Sequence, residues 1–199
     1  MTKPVMESLI ARARVLGCLL ALTFLGLNPA AAQGDVPWAL LKQPGVHAIM
    51  RHALAPGTGD PADFRLDDCD TQRNLDARGR QQARAIGQAL RDAGIRFDRV
   101  LTSQWCRCRE TATLLQLGPP EDFATLNSFF ADRSTQGRQT DELRAFLASL
   151  PDTQKVMLVT HQVNITALTG RGVGSGEVFL IKHNADGTIT VVDTFLIAP

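Results

Sequence analysis

Histidine and cysteine are scarce in this 199-residue chain, with four of each, and net charge is almost absent at a formal +1. The missing charge argues against a general binder of nucleic acid or of a membrane surface, since both need an extended face of one sign. No apolar run reaches comfortable membrane-spanning length; the longest, residues 15–27, is too short. Lys3, Arg12 and Arg14 precede or open it and Ala30-Ala31-Ala32 follows it, which is the layout of a secretory signal peptide cut after Ala32. Because the apolar run follows Cys18 instead of preceding it, a lipoprotein site fits less well. The expectation is a signal peptide over 1–32 and a single domain over 33–199, working in the periplasm or outside the cell without stable membrane insertion. Removing the leader takes away three basic residues and Glu7, leaving a formal charge of −1. Neither an internal repeat nor a further low-complexity run is present, and the remaining length suffices for one full core.

With so few histidines, their positions carry information. Val46-His47-Ala48-Ile49-Met50-Arg51-His52 is an apolar run that gives out at an Arg-His pair before the Gly- and Pro-rich segment Ala55-Pro56-Gly57-Thr58-Gly59. Lys155 to Thr160 is a second such run, and it stops at His161. Between them, Val100 to Ser103 reads as a strand turning into a helix whose first turn carries Arg107. Carboxyl ends of strands are where open α/β sheets bind ligands, so two imidazoles and two guanidinium groups there point to an anion. The competing reading makes Arg51 a strand cap, His52 a solvated loop residue and Arg107 a surface partner of Glu110. His47, inside a strand, and His183, at a hairpin edge, read as structural.

The rest of the chain fills in around these ends. Residues 55–73 form a long polar connection, which could offer Arg65 or Arg73 to a ligand. Residues 76–93 have helical periodicity, with Ala83, Ile86, Ala89 and Leu90 on one face and Gly94 as the stop. Phe123 to Phe130 reads as a short strand, 141–150 and 163–168 as helices, and 177–183 with 188–197 as a hairpin closed at Asp186-Gly187. Past the leader the cysteines number three, an odd count for an oxidising compartment. A disulfide from Cys69 to either Cys106 or Cys108 would staple the long connection to the Arg107 helix, whereas the Cys-x-Cys pair with a histidine could instead hold zinc.

Taken together and in order, Arg51-His52-Ala53, Leu75-Asp76-Ala77-Arg78-Gly79-Arg80-Gln81-Gln82-Ala83, Ser103 through Ala112 and Thr160-His161 resemble the motifs of the histidine phosphatase superfamily, the phosphoglycerate-mutase-like proteins. The resemblance implies an α/β three-layer sandwich, with a mostly parallel central sheet and helices on both faces. It implies a histidine-type phosphoric monoester hydrolase that forms a phosphohistidine on His52 while Arg51, Arg107 and His161 hold the phosphoryl oxygens. Neither metal nor other cofactor is called for. The general acid of many relatives has no matching Glu over Leu126–Asp132, which leaves Asp132 and Glu177 as candidates. Among exported relatives the chain looks similar to phosphatases of lipopolysaccharide core heptose phosphate, so a phosphorylated small molecule or glycan is the expected substrate. The missing acid also motivates an alternative, a non-catalytic phosphate or phospho-ligand binding protein built on the same pocket.

Overall fold

The computed structural model describes residues 38–199; the leader expected over 1–32 lies outside the described residues. The strands are β1 (Val46–Arg51), β2 (Arg99–Thr102), β3 (Pro120–Asp122), β4 (Val156–Thr160), β5 (Val178–His183) and β6 (Ile189–Phe195). They form one sheet in the order β3-β2-β4-β1-β5-β6. The first four run parallel, and β5 and β6 add an antiparallel edge. Strands β1 and β4 sit in the middle and are almost wholly buried, which is why their sequences read as continuous apolar runs.

Alternation along these strands sends side chains to two separate cores. Ala48, Met50, Met157 and Val159 pack with Ile86 and Leu90 of α2 (Ala77–Asp92) and with Ala112 and Leu115 of α3 (Cys106–Leu115). Leu41, from the short lead-in helix α1 (Trp38–Leu41), joins the same layer. Ile49 and Leu158 face the other way, toward Leu143 and Leu147 of α4 (Gln136–Ser149) and Ile165 and Leu168 of α5 (Gln162–Thr169). The result is the expected three-layer α/β sandwich, with helices on both faces of a mostly parallel sheet. Among the described residues, no helix is long and apolar enough to cross a membrane.

Two close approaches fix the chain just beyond β1. A Cβ at Gly79 would lie 1.9 Å from the carbonyl oxygen of Leu54, so only glycine lets the first turn of α2 press against that backbone. Asp76 caps the same turn by accepting from the Gly79 amide at 2.7 Å. From the other side the Ala53 amide donates to Thr111 Oγ1 of α3 at 3.1 Å. The segment after His52 is thus clamped between two helices.

Some boundaries differ from the sequence reading. Phe123 to Phe130 is not a strand: the edge strand ends at Asp122, and a single 3-10 turn, Ala124–Leu126, follows it. That turn directs Leu126 inward and leaves Asn127 beside the strand ends. Helix α4 begins at Gln136, five residues before the start expected at 141, because its polar first turn is anchored by Gln139, which is buried and donates to the Thr125 and Asn127 carbonyls at 3.2 and 2.9 Å. The hairpin forms as expected, with Gly187 at φ 82°.

Candidate active site

Three strand ends come together at the carboxyl edge of β1, β2 and β4. The His52 amide donates to the Thr160 carbonyl at 2.9 Å and the Ser103 amide to the Val159 carbonyl at 3.0 Å, so backbone bonds fix the spacing of the side chains that follow. His52 is 1% exposed, Arg107 3% and His161 4%. The two imidazole centroids stand 5.6 Å apart with their planes inclined by 68°.

The hydrogen bonds assign a tautomer to each ring. His52 Nδ1 lies 2.8 Å from the Ala53 carbonyl, which can only accept, so Nδ1 carries the proton. Its other nitrogen, Nε2, accepts from Arg107 Nε at 3.2 Å and keeps its lone pair toward the pocket. His161 accepts at Nδ1 from Arg107 Nη2 at 3.4 Å, leaving Nε2–H to donate to Ser103 Oγ at 2.8 Å. Ser103 Oγ in turn donates to Asn127 Oδ1 at 3.2 Å. Burial, reinforced by the Arg107 charge, holds the His52 pKa well below the ordinary imidazole value. His161 is lowered in the same way, with burial first and the neighbouring His52 next. Both rings are neutral at pH 7, as a nitrogen nucleophile requires.

Arg51 lines the same pocket, and its Nε is buried without a hydrogen-bond partner. An unpartnered guanidinium nitrogen on a residue that lines a cavity leaves a donor free for an incoming acceptor. Burial and the neighbouring Arg107 lower its pKa. A third guanidinium, Arg73, completes the cationic wall, with its pKa pushed down to about 10, chiefly by burial. The cavity they enclose is about 110 Å³.

Sequence reasoning missed Asp60. Its carboxylate accepts from Arg107 Nη1 at 2.6 Å and Nη2 at 3.2 Å, from the Arg73 amide at 3.1 Å and from Trp105 Nε1 at 3.1 Å. Burial opposes its ionisation, but these bonds outweigh burial and its pKa falls below the usual aspartate value. Asp60 sits in a Gly- and Pro-rich loop with no periodicity, and only that loop's departure from the His52 strand end pointed toward the pocket. Arg107 therefore pairs with Asp60; Glu110, the surface partner considered for it, pairs with Arg80 instead.

The two carboxyls expected to supply a proton are placed elsewhere. Asp132 is exposed, accepts from the Ser134 amide at 2.9 Å as a cap and is held more acidic by that bond. Glu177 closes the glycine-rich turn by accepting from the Gly174 amide at 2.7 Å. Neither lines the pocket, so the structure does not bring them to His52. At the N-terminus of α3 the Cys106 amide donates to Gln72 Oε1 at 2.9 Å. Arg65 turns away to pair with Asp68.

Cys69 and Cys106 form the disulfide, with Cα atoms 5.7 Å apart, which closes a 37-residue span and removes Cys106 as a zinc ligand. Among the described residues, no group of three or more His, Cys, Asp or Glu is arranged to hold a metal ion. Cys108 stays a buried free thiol behind His161, its pKa raised to about 12 by desolvation. His47 and His183 lie away from the pocket, on β1 and at the end of β5.

Residues 48–145 match the sequence profile described as "Histidine phosphatase superfamily (branch 1)". A 65-residue stretch is 38% identical to the serine/threonine-protein phosphatase Pgam5, mitochondrial, of Drosophila willistoni, covering 33% of this chain and 22% of the fly protein. Over 121 residues the chain is 33% identical to an uncharacterised protein of Picosynechococcus, covering 59% of this chain and 66% of that one. The chain thus spans less than two thirds of the length of either relative. Among solved structures, the protein histidine phosphatase SixA complexed with tungstate superposes with a TM-score of 0.54 at 17% identity, covering 76% of this chain and 96% of that one. At that identity the likeness is one of fold.

Proposed function

Since the chain belongs to the histidine phosphatase superfamily, we propose that it is a phosphatase that works through a phosphohistidine on His52, without a metal ion. The observation that carries this reading is the approach of one guanidinium to both imidazoles: Arg107 Nε lies 3.2 Å from His52 Nε2, and Nη2 lies 3.4 Å from His161 Nδ1. A phosphoryl group entering between the rings takes over those two donors and frees the His52 lone pair. Nε2 then attacks phosphorus, the bond to the leaving group breaks, and that group departs with the electron pair. Water attacks the phosphohistidine, releases phosphate and returns the lone pair to Nε2. The oxygens' negative charge favours protonation of His161 at Nδ1, which turns it into a second donor.

Charge balance supports a phosphoryl dianion. Arg51, Arg73 and Arg107 against Asp60 leave two positive charges around neutral imidazoles. The tungstate bound by SixA, an oxyanion of similar shape, fits the same reading.

The substrate class follows from what surrounds that charge. Pockets for whole small molecules run to roughly 300–1,000 Å³, so a cavity of about 110 Å³ admits the phosphoryl group and leaves the remainder at the mouth beside Phe130 and Val163. With Asp132 and Glu177 placed elsewhere and Asp60 held ionised, the favoured leaving groups are those that depart without a proton from the protein: a phosphorylated histidine, an acyl phosphate or an activated aryl phosphate. A glycan such as lipopolysaccharide core heptose phosphate, together with export over a 1–32 leader, belongs to the same proposal on the sequence resemblance alone.

The test is phosphate release by the purified protein and by His52→Ala from p-nitrophenyl phosphate, acetyl phosphate, phosphohistidine and a heptose phosphate, with and without chelator. Chelator-insensitive release that vanishes in His52→Ala is expected, fastest from the acyl and N-phosphoryl compounds. Phosphate binding without release would favour the non-catalytic alternative, and loss of activity to chelator would overturn metal independence. Fractionating cells that express the full chain tests export: a shortened protein in the periplasm is expected, and full-length protein in the cytosol contradicts it.

A further inference from the structure

We propose that Asp60 is the positioning residue for Arg107, holding one edge of the guanidinium so that the other edge faces the space between His52 and His161. The inference rests on the phosphatase reading and names a part that the sequence motifs do not contain. An arginine has five N–H donors in a rigid plane. Here all five are engaged. Nη1 gives one to Asp60 Oδ1 at 2.6 Å and one to the Arg73 carbonyl at 3.2 Å. Nη2 gives one to Asp60 Oδ2 at 3.2 Å and one to His161, and Nε gives its single proton to His52.

The carboxylate therefore takes the end-on pair of donors, and the side-on pair, Nε and Nη2, is left pointing at the imidazoles. That side-on pair borders the space in front of the His52 Nε2 lone pair, so a phosphoryl oxygen taken up by it brings phosphorus before that lone pair. A guanidinium free to rotate about its stem would present the end-on fork instead, which binds an anion equally well but off the line of attack.

Asp60 is itself over-determined, as a positioning group must be. The Arg73 amide and Trp105 Nε1 hold its carboxylate, and the Arg73 side chain fastens the loop through the Gly59 carbonyl at 2.8 Å and the Ala55 carbonyl at 2.5 Å. Trp105 also lies edge-on to His161, with centroids 5.3 Å apart, so one indole touches both the carboxylate and the second imidazole. The Cys69–Cys106 disulfide then ties this loop to the residue preceding Arg107.

A positioning role and a mere charge role have opposite signatures. Removing the Asp60 charge by itself would tighten anion binding, because a repulsive neighbour is gone. Loss of aim would instead weaken whatever is bound in the in-line, transition-state geometry. With p-nitrophenyl phosphate as substrate, Asp60→Asn is expected to lose about 100-fold in kcat, with KM within a few-fold of the wild type. Calorimetry is expected to show vanadate, which mimics the five-coordinate phosphorus, bound at least about 10-fold more weakly by Asp60→Asn, while orthophosphate is bound as well as before or better. In Asp60→Ala, added formate should restore part of the lost kcat by refilling the carboxylate position.

A kcat within about threefold of the wild type in Asp60→Asn, parallel weakening of vanadate and orthophosphate, or a loss in folded Asp60→Ala that formate leaves untouched overturns the proposal. The two calorimetric titrations need no turnover. A wild type that releases no phosphate would therefore sink the phosphatase reading while the placement of Arg107 is still decided.

Discussion

The sheet centre and the loop over residues 53–76 reach the same pocket by different physics. Strands β1 and β4 place His52 and His161 through burial on both faces, with Ile49, Met50, Leu158 and Val159 fully inaccessible and parallel pairing from Ala48–Met157 to Arg51–Thr160. The loop buries little. It holds Asp60 and Arg73 in place with side chain to backbone bonds, one disulfide and the clamp at Gly79. Thus His52, the proposed nucleophile, stands on the part of the fold hardest to disturb, while Asp60 and Arg73, the proposed supports of Arg107, stand on the part easiest to release. Arg107, on the first turn of α3, is where the two regions meet.

The contrast can be broken from the loop side first. Replacing Cys69 and Cys106 by serine frees a 37-residue span, which chain entropy makes worth about 4 kcal/mol. The expected drop in melting temperature is roughly 10 °C, with a disproportionate loss of activity below the melt, because the loop loosens before the sheet. Calorimetry and phosphate release on the same samples check both parts.

Next comes the joint itself. Arg107→Lys keeps the charge but loses the planar five-donor arrangement, so kcat on p-nitrophenyl phosphate should fall about 100-fold or more, near 3 kcal/mol, with the fold retained.

The sheet side is sharpened by pH. Burial, together with Lys155 and against Asp152, pushes the His47 pKa down to about 4. In the unfolded chain it titrates near 6.5, so below that pH the unfolded state binds a proton that the folded state refuses. Stability is therefore full above pH 6.5 and falls as pH drops toward 4, by on the order of 2 kcal/mol between pH 6.5 and 5. The depressed His52 and His161 add in the same direction. Urea unfolding at the two pH values should show this loss, smaller in His47→Leu.

The smallest effect belongs to the mouth, where Phe130 stands 49% exposed. Phe130→Ala should raise KM for an aryl phosphate by roughly 2- to 10-fold and leave acetyl phosphate unaffected, since an aromatic contact contributes about 0.5–1.5 kcal/mol. Steady-state kinetics on the two substrates decides it.

The same division explains what the sequence made legible. Strand ends, helix faces and the hairpin leave periodic or punctuated traces, and so β1, β4, α2 and the positions of His52, His161 and Arg107 could be read from apolar runs and their stops. Asp60 leaves no such trace. Its role depends on where a nonperiodic loop folds back, which is set by Arg73, Trp105 and a disulfide 37 residues long in span. Asp132 and Glu177 looked eligible because each carboxyl stands at a turn near a strand end. In the structure that location makes them caps of their own turns. Residues 123–130 read as a short strand, but the chain curls into a 3-10 turn after Pro120–Asp122, which sends Leu126 into the core and sets Asn127 against Ser103.

The most direct test is to mix enzyme with radiolabelled phosphoryl substrate, quench within milliseconds into alkaline denaturant, where phosphohistidine survives, and map the label by peptide mass spectrometry. The account predicts a stoichiometric fraction of label on His52 that decays as free phosphate appears and is absent from His52→Ala. Label on His161, on Cys108 or on no residue while phosphate is still released would contradict it.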